Sequence, residues 1–280
     1  MHSVLFDIPN QLHYDCSILT DRRCNRPLDK KYRTIMSKIR ALKSNEKLSE
    51  EQVRMLYIEV PDAPMMKSHS SNSKANPGYV AVIVQRVLPV LCEILGHQVN
   101  SECMIITPYR RQLELWLTTF YSLRKSGWLA SELPQIYTVD GSQGRERMLT
   151  IIDLVNHKTA GFMSDPKRAN VSITRAKLMR ILVGGSFDAV KPPFEKSVKY
   201  VRDATNDLKV REIELDGPVA FYRAQHKKMH CWEVIRVQQD QNVVVPEDLY
   251  VPGKDDTNSN VDNLQVKDAG ELEGSSAGEE

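Results

Sequence analysis

A chain of 280 residues with 41% hydrophobic content carries enough apolar material for one large domain or two small ones. The net charge is only +2, yet residues 254–280 carry −6 and leave +8 on residues 1–253, a division that suits a polyanion partner as well as a solvated tail. Five cysteines without paired spacing favour reduced thiols over a disulfide framework, and there is neither a secretory leader pattern nor an apolar run approaching the ~18 residues of a membrane span, so the expected setting is intracellular, cytoplasmic or nuclear, with no membrane partner.

In chain order, residues 1–60 form a basic leading segment. Tyr32, Ile35, Met36 and Ile39 recur at helical spacing and predict a helix over residues 29–42. "MLYIEV" (55–60) reads as a strand ended by Pro61, and the Ser/Asn/Pro-rich "PMMKSHSSNSKANPG" as a loop. Residues 61–186 make the main domain. "YVAVIVQRVLPVLCEIL" predicts a buried helix kinked near Pro89. "CMIIT" is a strand, and Pro108 opens a helix closed by Gly127. "QIYTV", "LTIIDLV" and "RILVGG" are further strands. Asp165 caps a helix from Pro166 to about Lys177. Short apolar strands alternating with amphipathic helices imply an α/β sandwich around a mainly parallel sheet. Residues 141–148 are too few for a crossover helix, which leaves the strand order open. Residues 187–250 form an extension in which "YVRDATNDL" reads as a helix and "VAFYRAQ" and "CWEVIRV" as short strands. Residues 251–280 read as a disordered acidic tail. His226, His230 and Cys231 lack a second ligand cluster at metal-site spacing, so no metal site is assigned.

Three polar clusters fall at the carboxyl ends of predicted strands or on the helix after one: "TPYRRQ" (107–112), "VDGSQGRE" (139–146) and "DPKRANVSITRAK" (165–177). Open α/β sheets bind ligands at those ends. In the third, Ala169, Ile173 and Ala176 form a helical apolar stripe that would face the sheet, with Arg168 and Arg175 together on its flank. A guanidinium held there can make a bidentate phosphate contact, whereas a lone arginine more often pairs with a neighbouring carboxylate.

In this order and spacing, the three clusters resemble the second RecA-like domain of superfamily one helicases. They are most similar to the group that contains the nonsense-mediated-decay helicase. The resemblance covers residues 70–186 well. It reaches more weakly to the start, where "SVLF" and "LTDRRCNRPL" occupy the places of a phenylalanine and a "QYRMHP" signature. It implies a RecA-like, three-layer α/β sandwich of the P-loop NTPase type. Arg175 falls on the motif VI arginine that reaches the γ-phosphate of ATP, and Arg23 on a second γ-phosphate contact. Gly144 falls where bare backbone approaches the nucleotide, Glu146 on the ribose partner, and Gln143 on a link between nucleotide and strand. Thr107, Pro108, Tyr109, Thr138 and Asp140 fall on segments lining the path of single-stranded nucleic acid, RNA or DNA.

Departures accompany the match. Arg22 stands at the place of an adenine-stacking tyrosine, and Tyr79 replaces an expected glutamate. The sequence contains no G-x-x-x-x-G-K-[ST] phosphate loop (Walker A) and nothing resembling the acidic Walker B motif that holds Mg²⁺. ATP with Mg²⁺ is therefore implied only if a first RecA-like domain completes the site, and the chain alone is expected not to hydrolyse ATP. The expected function is the nucleic-acid- and ATP-binding C-terminal half of a helicase. The alternative is an inactive, helicase-derived module that binds a protein partner.

Overall fold

The computed structural model describes residues 1–41, 48–60, 63, 65–68, 71–125, 127, 132–156 and 159–185, with the backbone at 208–209 and 232–234. These all belong to the first of two compact units, Met1–Val245, and the acidic tail lies outside them. So do the expected helix of 200–208, apart from Leu208, and the expected strand of 219–225.

Strands β1 (Met55–Glu59), β4 (Cys103–Thr107), β5 (Gln135–Thr138), β6 (Arg147–Asp153), β7 (Ala176–Gly184) and β8 (Leu208–Lys209) form a sheet in the order β5-β4-β6-β7-β1-β8. Every neighbouring pair in it is parallel. Buried-strand runs such as "CMIIT" and "LTIID" belong in such a sheet, because helices cover both faces. Alternation then sorts side chains by parity. Met55, Tyr57, Met104, Ile106, Ile152 and Leu182 face α1 (Ser3–His13) and α8 (Pro166–Ile173), where Leu5, Ile8, Ala169 and Ile173 close one core. Against the opposite face, α7 (Arg110–Lys125) packs through Trp116 and Gln112, both fully buried.

The predicted helix of 29–42 is α2 (Lys30–Ile39), with Tyr32, Ile35, Met36 and Ile39 buried as their spacing requires. The apolar helix divides into α4 (Pro77–Val82), a π turn over Ile83–Val87 and α5 (Leu88–Leu95). Pro89 has no N–H for the carbonyl four residues back, and its ring would strike that group in a straight helix. The wider π turn, closed from Leu88 N–H to Ile83 O, relieves the conflict. Contrary to the sequence reading, the helical run Pro77–Glu102 is long and apolar enough to cross a bilayer, with mean hydropathy 1.7. In the fold it is a core element, with every residue from Pro77 to Val84 buried inside the protein. The stretch expected as a loop contains β2 (Met66–Ser68) and β3 (Lys74–Ala75), paired antiparallel, and β2 also takes up β9 (Trp232–Val234).

One connection departs from the helix-after-strand pattern. β5 and β6 flank β4 on opposite sides, all three parallel, so residues 139–146 must run from the carboxyl end of β5 to the amino end of β6. A 3₁₀ turn (Asp140–Ser142) is followed by a second tight turn at Gln143 and Gly144, closed from Arg145 N–H to Ser142 O at 3.0 Å, before β6 begins at Arg147. Residues 139–146 make this crossing without an α-helix.

Candidate functional site

The crossing separates the motif residues into two groups. At the carboxyl end, Thr107 pairs in register with Thr138, and Val139 N–H donates to Thr107 O at 3.0 Å. The Thr138 hydroxyl accepts from Gly141 N–H at 3.1 Å and so caps the 3₁₀ turn that presents Asp140. Thr107 is fully buried, and its hydroxyl has no hydrogen-bond partner among the described residues. Pro108 and Tyr109 lead from it into α7, which has the sequence-expected closure: Gly127, at φ +64°, returns its N–H to Arg124 O. Tyr109 is only 8% exposed. Its hydroxyl accepts from Asn156 Nδ2 at 2.9 Å and from Phe162 N–H at 3.2 Å.

At the amino end, β6 and β7 begin side by side. Arg147 pairs with Ala176, and Arg147 N–H donates to Arg175 O at 3.2 Å. This brings Glu146 beside Lys177, with Gln143, Gly144 and Arg145 leading to it, all four exposed. Lys177 Nζ lies 3.8 Å from Glu146 Oε2. Gly144 has φ +78°, and a Cβ added there would meet nothing within 4 Å. Its backbone therefore borders open space in a conformation that only glycine adopts freely. Arg145 lies over the Tyr137 ring at 4.6 Å. The turn Arg22–Cys24 belongs to the same end. The chain's amino terminus lies 4.0 Å from Cys24 Sγ, and His2 N–H donates to Lys177 O at 3.2 Å. Arg23 itself, 91% exposed, is held by Asp21 through Nε at 3.1 Å and Nη2 at 2.8 Å. That pairing holds the Asp21 carboxyl below its usual range.

Two sequence expectations change here. The clusters do not all sit at the carboxyl ends of strands, because residues 143–146 and 175 lie at the amino ends of β6 and β7. Furthermore, α8 stops at Ile173. Asp165 caps it as expected, accepting from Lys167 N–H, but Ala176 is already in β7. Arg168 and Arg175 therefore do not share a helix flank. Arg168, in the first turn of α8, lies at the carboxyl end, where Nε is 3.3 Å from Asp140 Oδ1 and Nη1 is 3.6 Å from Asp165 Oδ2. Arg175, past the helix, donates from Nε to Val171 O at 3.0 Å and from Nη2 to Thr174 Oγ1 at 3.1 Å. A cation there also neutralises the negative end of α8.

Several residues that spacing did not single out build the carboxyl end. Asp153, fully buried at the end of β6, accepts from Gln112 Nε2 at 2.5 Å, Trp116 Nε1 at 2.8 Å and Val155 N–H at 3.2 Å. Loss of solvent nevertheless pushes its carboxyl up to about 6. Gln112 also accepts from Asn76 N–H at 2.7 Å and donates to Asn76 O at 3.3 Å. Tyr79, at the place of the expected glutamate, is buried and donates to Asn156 O at 3.2 Å. Asp153 was signalled only by its charge inside an apolar run, whereas Gln112 closes the polar cluster 107–112.

For a nucleotide, the amino end offers open backbone at Gly144, a carboxylate at Glu146 and cations at Arg145, Arg175 and Lys177, a set that fits one side of a triphosphate. Among the described residues no group of three or more His, Cys, Asp or Glu side chains is placed to hold a metal ion.

A family model described as an AAA domain matches residues 1–186. An uncharacterized ATP-dependent helicase of Methanocaldococcus jannaschii is 26% identical over 76% of this chain and 30% of its own length. The putative regulator of nonsense transcripts 1 of Takifugu rubripes is 35% identical over 41% of this chain and 10% of its own length. The helicase SEN1 of Saccharomyces cerevisiae is 28% identical over 60% of this chain and 8% of its own. The chain thus spans less than a third of the length of these relatives.

Proposed function

The chain belongs to the AAA domain family and is a helicase-like domain of the superfamily one type; from that premise we propose that it is a two-ended RecA-like half-motor, gripping single-stranded nucleic acid at one edge of its sheet and nucleotide at the other. The observation that carries this reading is the crossing of residues 139–146, which has Asp140 at the carboxyl edge and Gly144 and Glu146 at the amino edge. A change at one edge would reach the other through a short segment of two consecutive turns. Gln143, where the 3₁₀ turn gives way to the tight turn at Gly144, is the linking position.

At the amino edge, Gly144 would admit phosphate to the backbone, Glu146 would accept from ribose hydroxyls, and Arg175 and Arg23 would stabilise the charge of the transferring phosphoryl group. Release of Glu146 from Lys177 and of Arg23 from Asp21, both on the solvent side, is part of engagement. The phosphate loop and Mg²⁺ ligands would come from a first RecA-like domain. At the carboxyl edge, Thr107, Pro108, Tyr109, Thr138 and Asp140 shape a path contacted through backbone and hydroxyl groups, which binds RNA and DNA alike. The four described cysteines are free, which supports an intracellular setting.

Binding to single strands is expected at micromolar or weaker affinity and should fall steeply with salt. Affinity that stays flat between low and physiological salt removes the electrostatic path. The purified chain should show no nucleic-acid-stimulated ATP turnover, and turnover that Arg175→Ala abolishes would refute the half-motor. The outward ion pair of Arg23 favours a second reading, a non-catalytic protein-binding module. That reading predicts neither salt-dependent strand binding nor any effect of Arg175→Ala on nucleotide binding.

A further inference from the structure

Four side chains form a continuous row along the carboxyl edge. Lys74 Nζ stands 5.9 Å from the Tyr109 ring centroid, Tyr109 meets Phe162 at 6.0 Å with planes 50° apart, and the Arg168 guanidinium carbon lies 3.8 Å from the Phe162 centroid. The motif resemblance gives Phe162 and Lys74 no role, and the sequence reading gave Arg168 only a candidate phosphate contact. We propose that Phe162 and Arg168 form a stacking platform for an unpaired nucleobase, an inference that rests on the strand-binding reading above and extends it from backbone to base.

The platform is built before any ligand arrives. Phe162 N–H is bonded to the Tyr109 hydroxyl, so the backbone carrying the ring is fixed. Gly161 precedes it at φ +52°, where a Cβ would collide with Asn156 Nδ2 and the Tyr109 hydroxyl. This turn can seat against Tyr109 only with glycine there. Asp140 and Asp165 hold the guanidinium from the side, which sets its plane while leaving the side chain 37% exposed. Lys74 is held in turn by Asn156 Oδ1 at 3.1 Å. Phe162 is absent from the buried cluster between the sheet and α8, so its ring is not needed to close that core. A half-exposed aromatic–guanidinium stack of fixed plane offers a flat, polarisable face, and every base has a complementary one. Such stacking is indifferent to sequence, as a translocating strand requires.

The test compares binding of two labelled single strands of equal length and charge, one bearing bases and one a bare sugar–phosphate chain. Phe162→Leu keeps the apolar volume but removes the ring, and Phe162→Trp keeps a ring. The wild-type chain should prefer the base-bearing strand by about 10-fold, Phe162→Leu should reduce that preference to about 2-fold or less with unchanged affinity for the bare chain, and Phe162→Trp should retain it. Equal wild-type affinity for both strands, or a Phe162→Leu variant that keeps the preference, overturns the platform. Equal weakening on both strands by Phe162→Leu also overturns it, since the ring would then act only through structure. Binding of neither strand by the wild-type chain overturns the strand-binding reading itself.

Discussion

At position 180 a guanidinium without solvent exposure donates to Ile173 O at 2.8 Å and to Leu5 O at 3.3 Å. The second carbonyl has a local cause. Pro9 lies inside α1 and has no N–H for the carbonyl four residues back, which is that of Leu5. The first is at the last residue of α8, where carbonyls lack helical partners. One buried arginine in β7 thus completes two helices, a debt that one chain position incurs and a distant one settles. Arg180→Met should destabilise the fold by about 2–4 kcal/mol in urea unfolding, because both carbonyls lose a charged donor while buried. Pro9→Ala restores an N–H for Leu5 O, so the double variant should recover about 1 kcal/mol of that loss. Strict additivity of the two changes would disprove the link. None of this was legible in the sequence, where Arg180 reads as the first residue of the strand "RILVGG". Its partners lie 7 and 175 residues away.

Among the elements, α8 and α7 show how tertiary pairing overrides local pattern. The spacing of Ala169, Ile173 and Ala176 fits a helix to Lys177, and all three are indeed in the core. The helix still ends at Ile173, because Arg175 O and Ala176 are taken by the first rung of the ladder to β6. A strand partner contributed by another segment competes with the next helical turn and wins. Motif VI is therefore a helix–strand junction, with Arg168 at one edge and Arg175 at the other. For α7, the sequence reading gave the helix and its Gly127 closure and named Gln112 only as the last residue of the cluster 107–112. In the fold Gln112 holds Asn76 through both backbone groups and donates to Asp153, all buried. Gln112→Leu should cost at least about 3 kcal/mol in urea unfolding, since it strands Asn76 N–H, Asn76 O and part of the Asp153 carboxylate. A loss below about 1 kcal/mol would mean that neighbouring groups replace the amide.

For the molecule as a whole, the buried Asp153 carboxyl makes stability depend on pH in an uncommon direction. Its ordinary value is 3.8, and desolvation raises it in the fold to about 6. Between those values the folded chain binds more protons at this site than the unfolded chain, so stability from this group falls as pH rises from about 4 to about 6 and stays lost at neutrality. The full difference is about 3 kcal/mol at ~1.4 kcal/mol per unit of pKa. Unfolding of the wild type and of Asp153→Asn, compared across pH 4 to 7, should show the wild type losing stability relative to the variant as pH rises. A constant difference would mean that the carboxyl does not titrate there. By itself the sequence determined what depends on near neighbours: the apolar strands, the Asp165 and Gly127 helix caps, the core face of α2, and the motif order that names the family. These follow from backbone geometry and side-chain periodicity within a few residues. Only the tertiary structure decided the order β5-β4-β6-β7, the end of α8, the roles of Pro9 and Arg180, and the division of one motif cluster between two edges of a sheet. Each of these depends on which distant segment supplies a hydrogen-bond partner, and a parallel sheet draws its partners from far along the chain.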